Sequence, residues 1–454
     1  MGYHSHELHR LVAFLLITLA PIYYFSFVRH SSNHVVPKPW TIPQNFTEKY
    51  LETHVDDPFR IAPLAELCES IKWRPNLVLN VHDANGGIGN VRGNLLDFLF
   101  FAIHAGASIV LPIRASRGDE DLSALFSDRA PFDTFFDVDV FTESLGAACP
   151  QMDIYNSTEY LKTLENDFTP RSMRTDLDPN NTVAASIAGF NEWLAEHEEY
   201  DPLNATLVNL GRTLWETNTL AHPTSFRNSF GRILQLQPQV RRLAAIVTLN
   251  LATHFSLNID PSGHGVFPNA FLGAHLRTEA DAANAGWLND QHSNFAAQTD
   301  DYLALAATTN LSIIYVASGN VGELANFAEK AWKKFNMTVI SKNELLTGTN
   351  KAELNALAWD QQALVDYEVL MRCSRFGGFV RSSFSWNIAM RRNLVAWEDW
   401  RDKEERKLIV GMRKRKDPFE TARREDWVAF DDGLSRIVGR DEWHEMKISK
   451  GIWP

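Results

Sequence analysis

Only three cysteines, Cys68, Cys149 and Cys373, occur in 454 residues, so the chain is not a small scaffold held together by disulfides. One disulfide with a thiol left over is possible, and the sequence leaves the pairing open. No Cys/His cluster has zinc-site spacing. There is no excess of positive charge: the net charge of -12 argues against a nucleic-acid partner. The G-x-G-x-x-G dinucleotide fingerprint and the lysine of a phosphate-binding P-loop are both missing. No internal repeat or low-complexity tract stands out. What the chain does have is length beyond a single core, and 45% hydrophobic residues with 13 Trp and 28 Phe. Two large cores are therefore the natural expectation.

One apolar run is long. Residues 11–28, "LVAFLLITLAPIYYFSFV", carry no charge and lie between Arg10 and Arg29. Eighteen residues reach the lower limit for crossing a bilayer. We read them as a transmembrane signal anchor after a cytosolic tail at 1–10, with a cleaved signal peptide as the alternative. Six N-x-S/T sequons begin at Asn45, Asn156, Asn180, Asn204, Asn310 and Asn336, all beyond the apolar run. They suit a type II protein of the secretory pathway (Golgi or endoplasmic reticulum) with a lumenal body.

A polar, proline-interrupted stem is expected over 29–74. Then "NLVLNV", a Gly-rich turn, a helical run and "ASIVLPI" follow in the order strand, loop, helix, strand, which is a parallel βαβ unit. A second alternating series starts at "VFPNAFLGAHL". It continues through "LSIIYVASGN", a helix, "MTVIS", a helix over about 353–374, and "FGGFV". The expectation is an α/β fold with an N-terminal half at 75–264 and a C-terminal half at 265–402. Residues 403–454 are highly charged and read as a solvated appendage.

Three segments could carry chemistry. In "NGGIGNVRGN", Gly87, Ile88, Gly89 and Asn90 follow a strand and open a helix, so backbone and free N–H groups could approach a ligand. A plain turn explains the same glycines. In "HLRTEAD", His275, Leu276 and Arg277 end a strand; the guanidinium forks match phosphate oxygens. Glu279 and Asp281 could take a proton, or could hold Arg277 in place. In an extended stretch, residues 277, 279 and 281 share a face. In "FGGFVRSSFSW", Ser382, Ser383 and Phe384 follow a strand and start a helix, where serines suit a diphosphate or an ordinary helix cap. Asp137 and Asp139 in "FDVDVF" could hold a divalent metal, but two carboxylates do not complete such a site.

In these ordered motifs the chain resembles the protein O-fucosyltransferase superfamily, in its plant-like and fungal branches. "GGIGNVRGNLLDFLFFAIHAGASIVLP" resembles the first motif, although plant members tend to read Gly-Leu-Asn-Gln in its loop. "FDTFFDVDVF", "HLRTEAD" and "VDYEVLMRCSRFGGFVRSSFSWNIAMRR" resemble the segments that follow, and the first of these accounts for the aspartate pair without a metal. The resemblance spans about 76–395; the central region matches little.

It implies a GT-B fold, two Rossmann-like domains facing across a cleft. It also implies GDP-fucose as donor, inversion at the sugar, no metal or other cofactor, and a protein or glycan hydroxyl as acceptor. Carried over, Gly87 to Asn90 would line the cleft and His275 to Arg277 would meet the donor, Arg277 at the diphosphate. Asp366 would lie near the guanine and ribose, and Ser382, Ser383 and Phe384 at the phosphates. Glu279 is the preferred catalytic base, with Asp281 beside it. The alternatives are transfer of another deoxysugar, such as rhamnose, or an inactive sugar-nucleotide-binding or scaffolding homologue.

Overall fold

The computed structural model describes residues 45–53, 59–81, 84–116, 128–175, 178–197, 203–211, 217–263, 265–399, 428–439 and 452–454. The expected anchor at 11–28 and its cytosolic tail lie outside the described residues. Among the described residues no helix is long and apolar enough to cross a membrane. The described residues fall in one compact unit that contains two large sheets and a two-stranded pair.

The strands of the first sheet region are β1 (Leu77–Asn80), β2 (Ser108–Val110), a small antiparallel pair β3 (Arg114–Ser116) and β4 (Asp128–Ala130), then β5 (Ile154–Tyr155), β6 (Lys162–Thr163) and β7 (Thr206–Asn209). The main sheet runs β5-β2-β1-β7-β6, all parallel. Every residue of β1 is buried, as expected of a central parallel strand covered on both faces. Helix Ile88–Ala105 follows β1 and is apolar almost all round. Gly106 ends it at φ 67, with its N–H on the Ala102 and Ile103 carbonyls.

The second sheet contains β8 (Leu272–His275), β9 (Ile313–Ala317), β10 (Thr338–Ile340), β11 (Arg375–Phe379), β12 (Val428–Asp431) and β13 (Ser435–Val438). Its order is β10-β9-β8-β11-β13-β12, parallel except for β12. From β8 the chain winds outward through β9 and β10, then returns to the other side of β8 as β11. The winding direction reverses between β8 and β11. That is where open α/β sheets leave a crevice at their carboxyl edge. A similar reversal separates β1 from β7.

Several expectations change. The stem does not extend to residue 74: helices Phe46–Glu52 and Ile61–Glu69 pack onto the body, with Phe46, Tyr50 and Leu64 buried. Cys68 joins Cys149 in a disulfide, and Cys373 is free and buried. The helix expected over 353–374 is two, Gly348–Ala356 and Trp359–Arg372, because Leu357 and Ala358 are extended. Helix Pro238–His254, assigned to the first half, packs against Trp359–Arg372 of the second. Asn250 also donates to the Leu345 carbonyl at 2.8 Å.

The appendage is not wholly solvated either. β13 inserts beside β11 and completes the second sheet, while residues 452–454 reach into the first half. Trp453 is fully buried among Phe100, His222, Phe226 and Phe230. Its indole N–H donates to Asp97 at 2.8 Å. Arg92, in the first motif, is buried and spends its guanidinium on main-chain carbonyls of Trp453, Pro454 and Gly231, and on Asn387. Sequence periodicity cannot reveal such contacts, because they join residues far apart in the chain, 139 positions for Arg92 with Gly231 and 361 for Arg92 with Trp453.

Trp453→Ala should therefore destabilise the fold by about 3–5 kcal/mol, as large buried aromatics do. Trp453→Phe should cost less, keeping the ring but leaving an Asp97 oxygen without its N–H. Urea unfolding of the two variants measures both.

Candidate functional site

β8 ends at His275, and the chain leaves the sheet through Leu276, Arg277 and Thr278 into the short helix Ala280–Asn284. Leu276 turns into the hydrophobic core, so its side chain does not face a ligand. Beside it, β11 ends at Phe379 and helix Ser383–Asp399 begins. The two strand ends flank the reversal point and are joined across it: His275 Nδ1 lies 2.8 Å from Ser385 Oγ and 3.4 Å from Ser382 Oγ.

Ser385 Oγ also accepts the Phe379 N–H at 3.0 Å, so one hydroxyl ties the end of β11 to the His275 ring. Burial, with Arg277 adding to it and Glu279 opposing, lowers the His275 pKa to about 4, so the ring is neutral at neutral pH. Phe384 packs on this ring at 4.6 Å between centroids and on Tyr367 at 5.5 Å.

Ser382 acts as the helix cap, accepting from the Ser385 N–H at 3.4 Å. The N–H groups of Ser383 and Phe384 are taken by no described residue. They stand at the positive end of a 17-residue helix. From the first half, Gly89 approaches this point: a Cβ on it would meet the Ser383 backbone at 2.5 Å. Ile88 is core, Gly87 caps its helix through the Val91 N–H, and Asn90 alone of the four is exposed. The loop thus joins the halves by close approach.

Arg277 is the second centre. Its Nη1 donates to Glu279 Oε2 at 2.5 Å and to Asp281 Oδ1 at 2.8 Å, and its Nη2 donates to Asp281 Oδ2 at 2.6 Å. Three of five guanidinium N–H groups are engaged, on the end and inner edges. The Nε–H and the second Nη2 hydrogen, which together form the side-on fork, donate to no described residue, while the Trp287 ring lies 5.7 Å from the guanidinium carbon. The main chain is fixed too: Gln298 pairs with both the N–H and the carbonyl of Arg277.

Glu279 Oε1 accepts the Gly319 N–H at 2.8 Å, so both its oxygens are in use. Burial works against its ionisation, but Arg277, His275 and the Gly319 amide outweigh that and hold its carboxyl below the usual range. A lowered pKa and two engaged oxygens suit an anchor for Arg277 better than a proton acceptor. Asp281 lies in the first helical turn, so the extended geometry expected through residue 281 stops short of it. The three side chains converge nonetheless.

Asp366 hydrogen-bonds to Lys342 and, at 2.6 Å, to the Tyr315 hydroxyl. Burial raises its carboxyl, while Lys342 and Tyr315 oppose the shift. Neither partner was legible in the sequence. Asp137 caps helix Val138–Ala148 through the Val140 N–H, and Asp139 is exposed in its first turn. Among the described residues no three His, Cys, Asp or Glu side chains gather as a metal site.

The family model for GDP-fucose protein O-fucosyltransferases matches residues 78–395. The chain belongs to that family. Among solved structures it is similar to POFUT1 in complex with GDP, at 14% identity over 71% of this chain and 95% of that one, TM-score 0.40. It is also similar to the fucosyltransferase NodZ from Bradyrhizobium, at 16% identity over 69% and 92%, TM-score 0.33. No curated protein matches. Within this family member, His275, Arg277 and the serines all lie inside the matched span.

The buried neutral His275 sets a pH dependence. The unfolded ring takes a proton near its ordinary value of 6.5, whereas the folded ring resists until about 4. Between those values the unfolded state binds more protons, so stability falls as pH falls. His104 and His222, each lowered to about 4, act in the same direction. His275→Asn should flatten the stability–pH curve in this window by up to about 1.4 kcal/mol per pH unit. Denaturant titrations at several pH values measure it.

Proposed function

We propose that this chain moves fucose from GDP-fucose to a hydroxyl of a protein or glycan acceptor, with inversion and without a metal. On this reading its two sheets are the facing Rossmann-like halves of a GT-B transferase, and the donor lies at the carboxyl edge of the second sheet. The observation that carries the reading, together with family membership, is the side-on fork that Arg277 keeps open at the β8–β11 reversal. An arginine that only balanced Glu279 and Asp281 would not need that edge.

Cleavage of the sugar–phosphate bond sends negative charge onto GDP while the sugar gains oxocarbenium character. Glu279 and Asp281 pair with Arg277 and offset its charge, so it does not help merely as a cationic patch. Its help is directional: two N–H groups aimed at two phosphate oxygens, supplemented by the Ser383 and Phe384 amides. Ser383 and Phe384 meet the phosphates. His275 and Ser382 hold the strand ends in register with them. Asp366 supports the nucleotide end through Lys342 and Tyr315. Glu279 is a positioning residue, and the acceptor proton leaves to another acceptor or to solvent.

Calorimetry with GDP-fucose and with UDP-rhamnose tests the donor class. Binding of GDP-fucose is expected; binding of UDP-rhamnose alone identifies a different deoxysugar, and binding of neither favours an inactive homologue. A glycan or peptide array probed with labelled donor identifies the acceptor. Arg277→Ala should lower turnover by about 100-fold or more and weaken GDP binding, and Arg277→Lys should recover little. Glu279→Gln should lower turnover and GDP affinity together; loss of turnover with GDP affinity intact would restore Glu279 as the base. A chelator should leave transfer unchanged, and a requirement for Mn²⁺ would overturn the metal-free reading.

A further inference from the structure

The six sequons play no part in the donor site, yet the fold treats their asparagines alike. Asn45, Asn156, Asn180, Asn204, Asn310 and Asn336 are all exposed. Exposure is not general for asparagine here: Asn80, Asn85 and Asn387 are buried, and most of the other described asparagines are at least partly covered. The left-handed backbone at Asn310 and Asn336, φ 55 and 53, accounts for asparagine at those two positions. It does not account for the hydroxyl residue two positions on, Ser312 and Thr338.

Position adds to exposure. Asn204, Asn310 and Asn336 stand just before β7, β9 and β10. In parallel sheets those are the amino edges. His275, Gly319 and Ser382 leave the second sheet at its carboxyl edge. A bulky group on any of the three asparagines would therefore project from the end of its sheet opposite the strand ends that build the site. The Cys68–Cys149 disulfide independently points to an oxidising compartment, where such modification takes place.

We propose that the six exposed asparagines carry N-linked glycans, and that the edge positions Asn204, Asn310 and Asn336 are built to carry them away from the Arg277–His275 site. In the modification, asparagine Nδ2 forms a bond to the anomeric carbon of a lipid-diphosphate-linked glycan. The lipid diphosphate leaves with the electron pair of the broken bond, and one amide proton is lost.

The full chain isolated from its native source can be denatured, treated with peptide N-glycosidase in ¹⁸O-water and mapped by mass spectrometry. Conversion of Asn204, Asn310 and Asn336 to ¹⁸O-labelled aspartate is the expected result; no conversion at these three overturns the proposal. Occupancy is read independently of donor binding, so it stands or falls apart from the fucosyl-transfer reading. Trimming the glycans from the folded protein should leave GDP affinity within about twofold, as for sites that do not couple. A tenfold change would overturn their placement away from the site.

Discussion

Burying a guanidinium at the end of a strand is the constraint from which the rest of the site follows. Arg277 cannot shed its charge, so the protein must surround it with acceptors. Glu279 and Asp281 supply these, and each acceptor in turn needs to be held. Glu279 is held by the Gly319 amide at the end of β9, and Asp281 also accepts from the Ala282 N–H at 2.9 Å. Gly319 can serve because it has no side chain: a Cβ there would press on Trp359 at 3.2 Å and on Glu279 at 3.4 Å. One charge thus fixes the ends of two neighbouring strands and leaves a single edge of itself available.

The other half of the site is neutral. His275, Ser382 and Ser385 form a buried hydrogen-bonded group across the β8–β11 reversal, and burial keeps the imidazole uncharged. A charged ring there would place a second cation near Arg277. The neutral group instead ties two strand ends together without adding to the local field. Gly89 brings the first half to the same point, so the start of helix Ile88–Ala105 and the start of helix Ser383–Asp399 meet with almost no side chain between them.

Much of this arrangement was legible in the sequence, for a physical reason. Parallel strands buried on both faces read as short apolar runs, and amphipathic helices such as Val321–Phe335 declare their period. Charged or hydroxyl residues directly after such runs mark strand ends, as at Arg277 after β8 and at the serines after β11. What stayed hidden depends on partners distant in sequence. The roles of Glu279 and Asp366 follow from Gly319, Lys342 and Tyr315, which no local pattern connects to them. The charge of residues 403–454 suggested exposure because charge runs commonly mean that, yet the apolar positions of β13 and the indole of Trp453 find cover in the two halves. Ser385 was within reach: it stands three residues after Ser382, the spacing from a helix cap to the third helical residue.

The placement of β13 has a consequence for how the chain can be made. β11 pairs on one side with β8 and on the other with a strand that begins at Ser435, and among the described residues the carbonyl partners of Arg92 are Gly231, Trp453 and Pro454. A ribosome delivers residue 92 long before residue 453. During synthesis two of the carbonyls that cover the Arg92 guanidinium are missing until residues 453 and 454 emerge, and β11 keeps one edge open until β13 is made. Such an open edge can be captured by another chain during that interval. Completion of both halves is in this way deferred until residues 435–438 and 452–454 have been made, and the nascent protein depends on them for release from that exposure.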